Sequence, residues 1–335
     1  MKEHLPQILA ILRSCYTFAQ AKALIARELT GGKEPTSDAI TSLFRREGLE
    51  APTSYLADPL DEEFSPTIPA PPRVDHGPEC GAIAFIPDIH APYHDPEALR
   101  VAIDGITTFF DGVPFEKRTL VLLGDVADMY KVSRHSKDPK RRLAISDELG
   151  VTNEVLDLID QIHAARKVFC EGNHETRLAR FISERCPEIS SIIPDIRSLL
   201  RVAERGYEWV PYRDFGMVGK MMVTHDLDFC GKYAVVRSGD DIASSVAIGH
   251  THRMDTHHGA DTFGNPRTSC SFGCLVDFQS IDYKHRAKAL REWVPGFGLG
   301  HQGPTGDVYP IPVPIINGQC VVNGKIIGKV AAVAA

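Results

Sequence analysis

Leu120-Val-Leu-Leu-Gly-Asp-Val-Ala-Asp128 (residues 120–128) is the stretch on which the reading of this chain turns. Four apolar residues end in a glycine and two carboxylates. That is the pattern of a strand buried on both faces whose C-terminal end carries polar chemistry. The pattern recurs outward in both directions. AIAFIP (82–87) runs into Asp88-Ile-His90, and KVFCEGNH (167–174) holds Asn173 and His174 before Glu175. MVTHD (222–226) carries His225, and SSVAIGHTH (244–252) ends in Gly249-His250-Thr-His252. An amphipathic helical pattern over 144–166 separates two of these runs. Alternation of such strands with helices predicts an α/β fold with its site at the strand ends. Short β runs among Gly and Pro over 296–322 are expected to close the sheet edge.

Three zones follow. Residues 1–50 read as a small helical domain, with a Gly31-Gly32 break and a third helix capped by Thr36 or Ser37. Residues 51–80 hold seven prolines and form an acidic linker. Residues 81–325 form the large domain. No apolar run approaches the roughly 20 residues that cross a bilayer, which excludes a membrane span in this reading. The eight cysteines are scattered without a CxxC pair. They read as reduced thiols and place the protein in the cytoplasm.

Five strand ends bearing Asp, His and Asn, with no thiolate among them, suit borderline-to-hard divalent cations such as Mn, Fe, Zn or Ni. One such histidine is ordinarily structural. Five clusters are not, because packing gives no reason to gather hydrophilic groups where apolar strands end.

The ordered set D-x-H, GD-x-x-D, GNH-E, H and GH-x-H resembles that of the calcineurin-like metallophosphoesterases, over roughly residues 81–260. Val132-Ser-Arg-His-Ser-Lys-Asp-Pro139, Gly273-Cys274, Tyr283 and Trp293-Val-Pro-Gly-Phe297 are similar to segments of bacteriophage members. The resemblance implies a four-layer α+β architecture, a β-sandwich flanked by helices, with two divalent metal ions, Mn expected. Asp88, His90 and His252 would hold one ion, and Asn173, His225 and His250 the other, with Asp125 bridging both. A metal-activated hydroxide would be the nucleophile and His174 the general acid. Asp128 would orient His174 and favour its protonated form. Asp226 departs from the family pattern, in which glycine commonly follows the histidine. It is expected either to support the second ion or to face solvent.

Lys131 to Arg142 holds six cations against one Asp. Of these Arg134, Lys137, Arg141 and Arg142, together with Arg177 beyond the GNH-E motif, are expected to contact substrate phosphate. Arg177 has an alternative as a partner of Glu175 or Glu184. The helical domain looks like a helix-turn-helix whose last helix presents Arg45 and Arg46 to DNA, with dimerisation as the alternative.

The expected partner is nucleic acid, DNA foremost, or a phosphorylated small molecule, with no membrane; a homo-oligomer stays open. The leading expectation is therefore a nuclease or phosphodiesterase. A phosphomonoesterase or nucleotide phosphatase is the second. A DNA-binding or scaffolding protein with a vestigial metal site is the third, and intact motifs oppose it. Met129 and Tyr130 stand where protein phosphatases carry an arginine motif, which disfavours that activity. The net charge of −7 does not oppose a phosphate-rich substrate, since the linker alone carries −5.

Overall fold

The computed structural model describes residues 80–329 apart from Pro139, Thr262 and 281–290, together with Gln7, Ile8, Ile25 and Leu29. The chain divides into two compact units, 1–75 and 76–335. In the first, the four described residues are helical, and Ile8 and Ile25 are buried. The helix-turn-helix reading, Arg45, Arg46 and nearly all of the linker lie outside the described residues, as does Tyr283.

The second unit is a mixed α/β structure with two large sheets. Strands β1 (Gly81–Ile86), β2 (Arg118–Leu122), β3 (Arg166–Cys170) and β4 (Tyr207–Val210) pair in parallel, with Ile86 opposite Leu122 and Leu122 opposite Phe169. Strands β5 (Gly216–Val218), β6 (Met221–Thr224), β7 (Val246–Ile248), β8 (Met254–Ala260) and β9 (Pro266–Phe272) form the second sheet, ordered β5-β6-β7-β9-β8. Strands β10 (Gly296–Gln302) and β11 (Val308–Pro314) return to the first sheet, antiparallel, giving the order β11-β10-β1-β2-β3-β4. This is the edge closure expected for the 296–322 region. Strands β12 (Gln319–Val322) and β13 (Lys325–Gly328) form a separate hairpin.

Side chains along a strand point alternately to its two faces. Ile83, Phe85, Val121, Leu123, Val168 and Cys170 share one core with Val218, Met221, Val223, Ala247, Cys270 and Phe272 of the second sheet. The Phe85 and Phe272 rings stack there at 4.7 Å. The intervening residues Ala82, Ala84, Ile86, Leu120, Leu122 and Phe169 pack with helices α1 (Pro96–Phe110) and α2 (Ile145–Ile159). Helix α1 begins where Asp95 accepts the N–H groups of Glu97 and Ala98 at 2.9 and 3.0 Å, with Pro96 in the first turn. Helix α3 (Thr176–Arg185) follows β3, and α4 (Ile196–Leu199) is a single turn. Helix α5 (Ala234–Ile242) packs Val235 against Val246 and Ile248 of the second sheet.

Because β1, β2 and β3 are parallel, the segments after them leave one edge together. His90 N–H donates to the Asp125 carbonyl at 2.8 Å, and Gly249 N–H to the His225 carbonyl at 3.0 Å. The polar clusters therefore converge by topology.

Candidate metal centre

Five of the expected ligands hold a left-handed backbone: Asp88 (φ 37°), His90 (56°), Asp125 (50°), His250 (63°) and His252 (56°). Each costs a non-glycine residue free energy, and such strain gathers at functional sites. Two glycines allow the close approach. A Cβ on Gly124, itself at φ +88°, would lie 2.6 Å from His225 Nδ1, and one on Gly172 would lie 2.2 Å from Asp125 Oδ1.

The side chains form two groups. Asp88, His90 and His252 have ligand atoms within 4.8 Å of one another, as do Asp125, His225 and His250. In the first group the Nε2 atoms of His90 and His252 face each other at 3.1 Å, and His252 Nε2 is 3.3 Å from Asp88 Oδ1. In the second, Asn173 Oδ1 is 3.1 Å from His225 Nε2 and 3.0 Å from His250 Nδ1. Asp125 Oδ2 lies between the groups, 3.3 Å from His225 Nε2 and 3.7 Å from His90 Nε2. Its other oxygen accepts the His174 N–H at 2.9 Å, which fixes which oxygen faces the centre. His225 Nδ1 donates to the Leu123 carbonyl at 2.7 Å, directing Nε2 inward as a ligating histidine needs. These buried donors fit divalent metal ions. His174 also lies within ligand reach of His90 and Asp125 and so competes as a donor.

Burial and neighbours set the charges. Burial alone would raise the Asp125 pKa, but His174, His225 and His90 hold it well below the usual carboxylate range. Burial likewise opposes charge on His225, and Asp125 overrides it, raising the imidazole to about 10. For His174 the balance reverses: burial lowers it to about 4 despite Asp125 and Asp128. Asp128 favours the protonated imidazole in the expected direction, but desolvation outweighs it and Asp125 together.

Asp128 does sit at this imidazole, with Oδ2 3.4 Å from His174 Nδ1 and 3.1 Å from His90 Nδ1. The other face of the ring was not anticipated. Arg177 Nη2 lies 2.6 Å from His174 Nε2, and its Nη1 donates to the Asp128 carbonyl at 2.7 Å. A guanidinium can only donate, so Nε2 is the acceptor. Neither Glu175 nor Glu184 is the partner of Arg177. Glu184 pairs with Arg134. Glu175 accepts the N–H groups of Gly172 at 2.8 Å, Asp125 at 3.0 Å and Ala127 at 2.8 Å. Sequence reasoning quoted Glu175 as part of a motif and missed this role. The signal available was an acidic residue too close to the ligands to be solvated.

A cavity of about 220 Å³ opens over the centre, lined by Asn173, His174, Arg177, Arg141, Tyr93 and Trp293 among others. Of the expected phosphate contacts, Arg141 and Arg177 line it, whereas Arg134, Lys137 and Arg142 do not. Lys137 instead donates to the Ser133 and His135 carbonyls, at 2.5 and 2.9 Å, because the loop folds back on itself. Asp226 is buried, with its oxygens accepting from Tyr212 Oη at 2.7 Å and the Asp228 N–H at 2.8 Å; it does not face solvent. Among the described residues all cysteines are free thiols, with Cys170, Cys270, Cys274 and Cys320 buried and Cys230 exposed. No helix among these residues is long and apolar enough to cross a membrane.

No family model and no curated protein matches the sequence. Solved structures similar to the chain include a candidate diadenosine tetraphosphatase, 14% identical, spanning 71% of this chain and 95% of that one at a TM-score of 0.31. Another is a protein of unknown function from Aquifex aeolicus, 17% identical, spanning 51% of this chain and 80% of that one at a TM-score of 0.26. At such overlap a functional reading rests on the centre itself.

Proposed function

We propose that the chain is a two-metal-dependent phosphoester hydrolase acting on nucleic acid or a nucleotide. One observation carries the reading: Asp125 Oδ2 stands between two donor groups, 3.3 Å from His225 and 3.7 Å from His90. Two divalent cations, Mn expected, would supply Lewis acidity at a phosphoryl oxygen and lower the pKa of an attacking water. Asp88, His90 and His252 would hold one and Asn173, His225 and His250 the other.

The rest falls to the protein. Arg141 and Arg177 line the cavity and meet the phosphate. As the bond from phosphorus to the leaving oxygen breaks, its electron pair stays on that oxygen, which takes a proton from His174. Arg177 must leave His174 Nε2 so that this nitrogen can take up a proton from solvent and pass it to the leaving oxygen. A phosphoryl oxygen accepting from the guanidinium draws the guanidinium away. Asp128 holds the ring from the other side.

The size of the cavity favours a compact ester, so a phosphomonoesterase or nucleotide phosphatase is the second reading. A panel of mono- and diester chromogens, nucleotides, DNA and RNA with Mn tests both. Asp125→Asn and His252→Ala should abolish metal-dependent cleavage; retained cleavage would refute the centre. We further propose that Arg45 and Arg46 recruit DNA. Deleting residues 1–50 should weaken duplex binding yet spare cleavage of a small diester.

A further inference from the structure

Trp293 lines the cavity, and the phosphoester reading gives it no task. Its ring meets that of His252 edge-on at 4.2 Å. It also packs against the small cluster of Cys274 and Val276, with Phe278 at 6.1 Å. These contacts hold an indole beside a residue expected to bind metal. Tyr93 and Tyr130 also line the cavity, but the Arg141 guanidinium lies over both, at 4.0 and 4.6 Å. Among the described residues Trp293 carries no such cation. It is, among the described residues, a large aromatic surface of the cavity left open to a ligand.

Trp293 is only partly buried, so part of the indole is open to the cavity. Indole is a large, rigid platform that stacks on any planar ring without reading its hydrogen-bonding edge. With a phosphoryl group at the donor cluster, an ester group in this small cavity falls within reach of Trp293.

We propose that Trp293 is a stacking platform that selects phosphoesters whose ester group is a planar ring. This rests on the phosphoester reading of the centre. A nucleobase and a simple aryl group share the chemistry, and the test separates them.

The full-length protein labelled with 5-fluorotryptophan has two indole signals, from Trp209 and Trp293. Loaded with Zn, it is titrated with adenosine 5′-methylenephosphonate, phenylphosphonate and methylphosphonate, whose P–C bonds resist hydrolysis. The two ring-bearing compounds should bind about tenfold tighter than methylphosphonate, some 1.4 kcal/mol. They should shift the Trp293 signal and leave Trp209 in place. Trp293→Leu should erase the preference and Trp293→Phe should keep most of it, the unchanged Trp209 signal reporting an intact fold. Preference for adenosine over phenyl identifies a nucleobase, and parity identifies any aryl group. Equal affinity for all three, or a preference that survives Trp293→Leu, overturns the platform alone. Binding of none, with no ester turned over in the Mn panel, removes the phosphoester reading as well.

Discussion

Arg177 occupies a position that a helix does not favour for a cation. It lies in the first turn of α3, where the macrodipole is positive, and it is buried. Its contacts with His174 and Asp128 compensate. Arg177→Met should lower kcat/KM for a phosphoester by about 10–100-fold, the scale of a lost charge-assisted hydrogen bond. KM should rise, whereas His174→Ala should act mainly on kcat. Unchanged KM in Arg177→Met would reduce Arg177 to an anchor for Asp128. Glu148 makes a second residue-scale case. It is buried, one oxygen accepts the Tyr130 N–H at 2.8 Å, and the other has no partner among the described residues. Burial, with Asp128 nearby, raises its pKa from 4.5 to about 7. A carboxyl whose folded pKa exceeds its unfolded value stabilises the fold below the unfolded pKa. That contribution is lost as pH climbs from about 4.5 to about 7. Glu148→Gln should match the parent near pH 4.5 and exceed it by about 1–3 kcal/mol above pH 7 in urea denaturation. Parallel stability curves for the two proteins would refute this.

At the scale of elements, Glu175 joins the loop after β2 to the loop after β3 through three backbone N–H groups. Glu175→Ala would leave those donors buried and unpaired, at about 1–3 kcal/mol each before relaxation. A fall in melting temperature together with reduced metal content by elemental analysis is expected. Loss of stability with full metal content would show that the loops keep their register without it. Elements also show where the sequence could be read. β1, β2, β3, β6 and β7 are buried, near-continuous apolar runs, and each was legible. β4, β5, β8 and β9 were not singled out. β4 and β8 are sheet edges with alternating or polar faces, such as Met254-Asp-Thr-His-His-Gly-Ala260, and such segments carry little local signal. At the opposite edge, Pro310, Pro312 and Pro314 remove three donors from β11, which discourages pairing with another chain.

For the molecule as a whole, metal uptake and proton release are linked. Burial disfavours the charge on His225, yet Asp125 raises its pKa to about 10, so at neutral pH the metal-free imidazole is charged. A ligating nitrogen must be deprotonated, so uptake should expel a proton near pH 7 and apparent affinity should rise with pH. Calorimetry in buffers of different ionisation enthalpy measures this, and a buffer-independent heat would contradict it. Metal at about 100 times its dissociation constant should add about 2.7 kcal/mol of stability. Asp125→Asn should lose most of that gain.

The sequence by itself determined the buried strands, the polar residues at their ends and thus the candidate donor set, because a strand's apolar run and its terminal residues are local properties. Only the tertiary structure decided that Arg177 meets His174, that Arg134 and Lys137 stay out of the cavity, and that Trp293 stands against His252. Trp293 and His252 are forty-one positions apart. The entry of β10 antiparallel to β1, with the Val294 N–H donating to the His252 carbonyl at 3.0 Å, brings the two rings together, and no periodicity encodes such a contact.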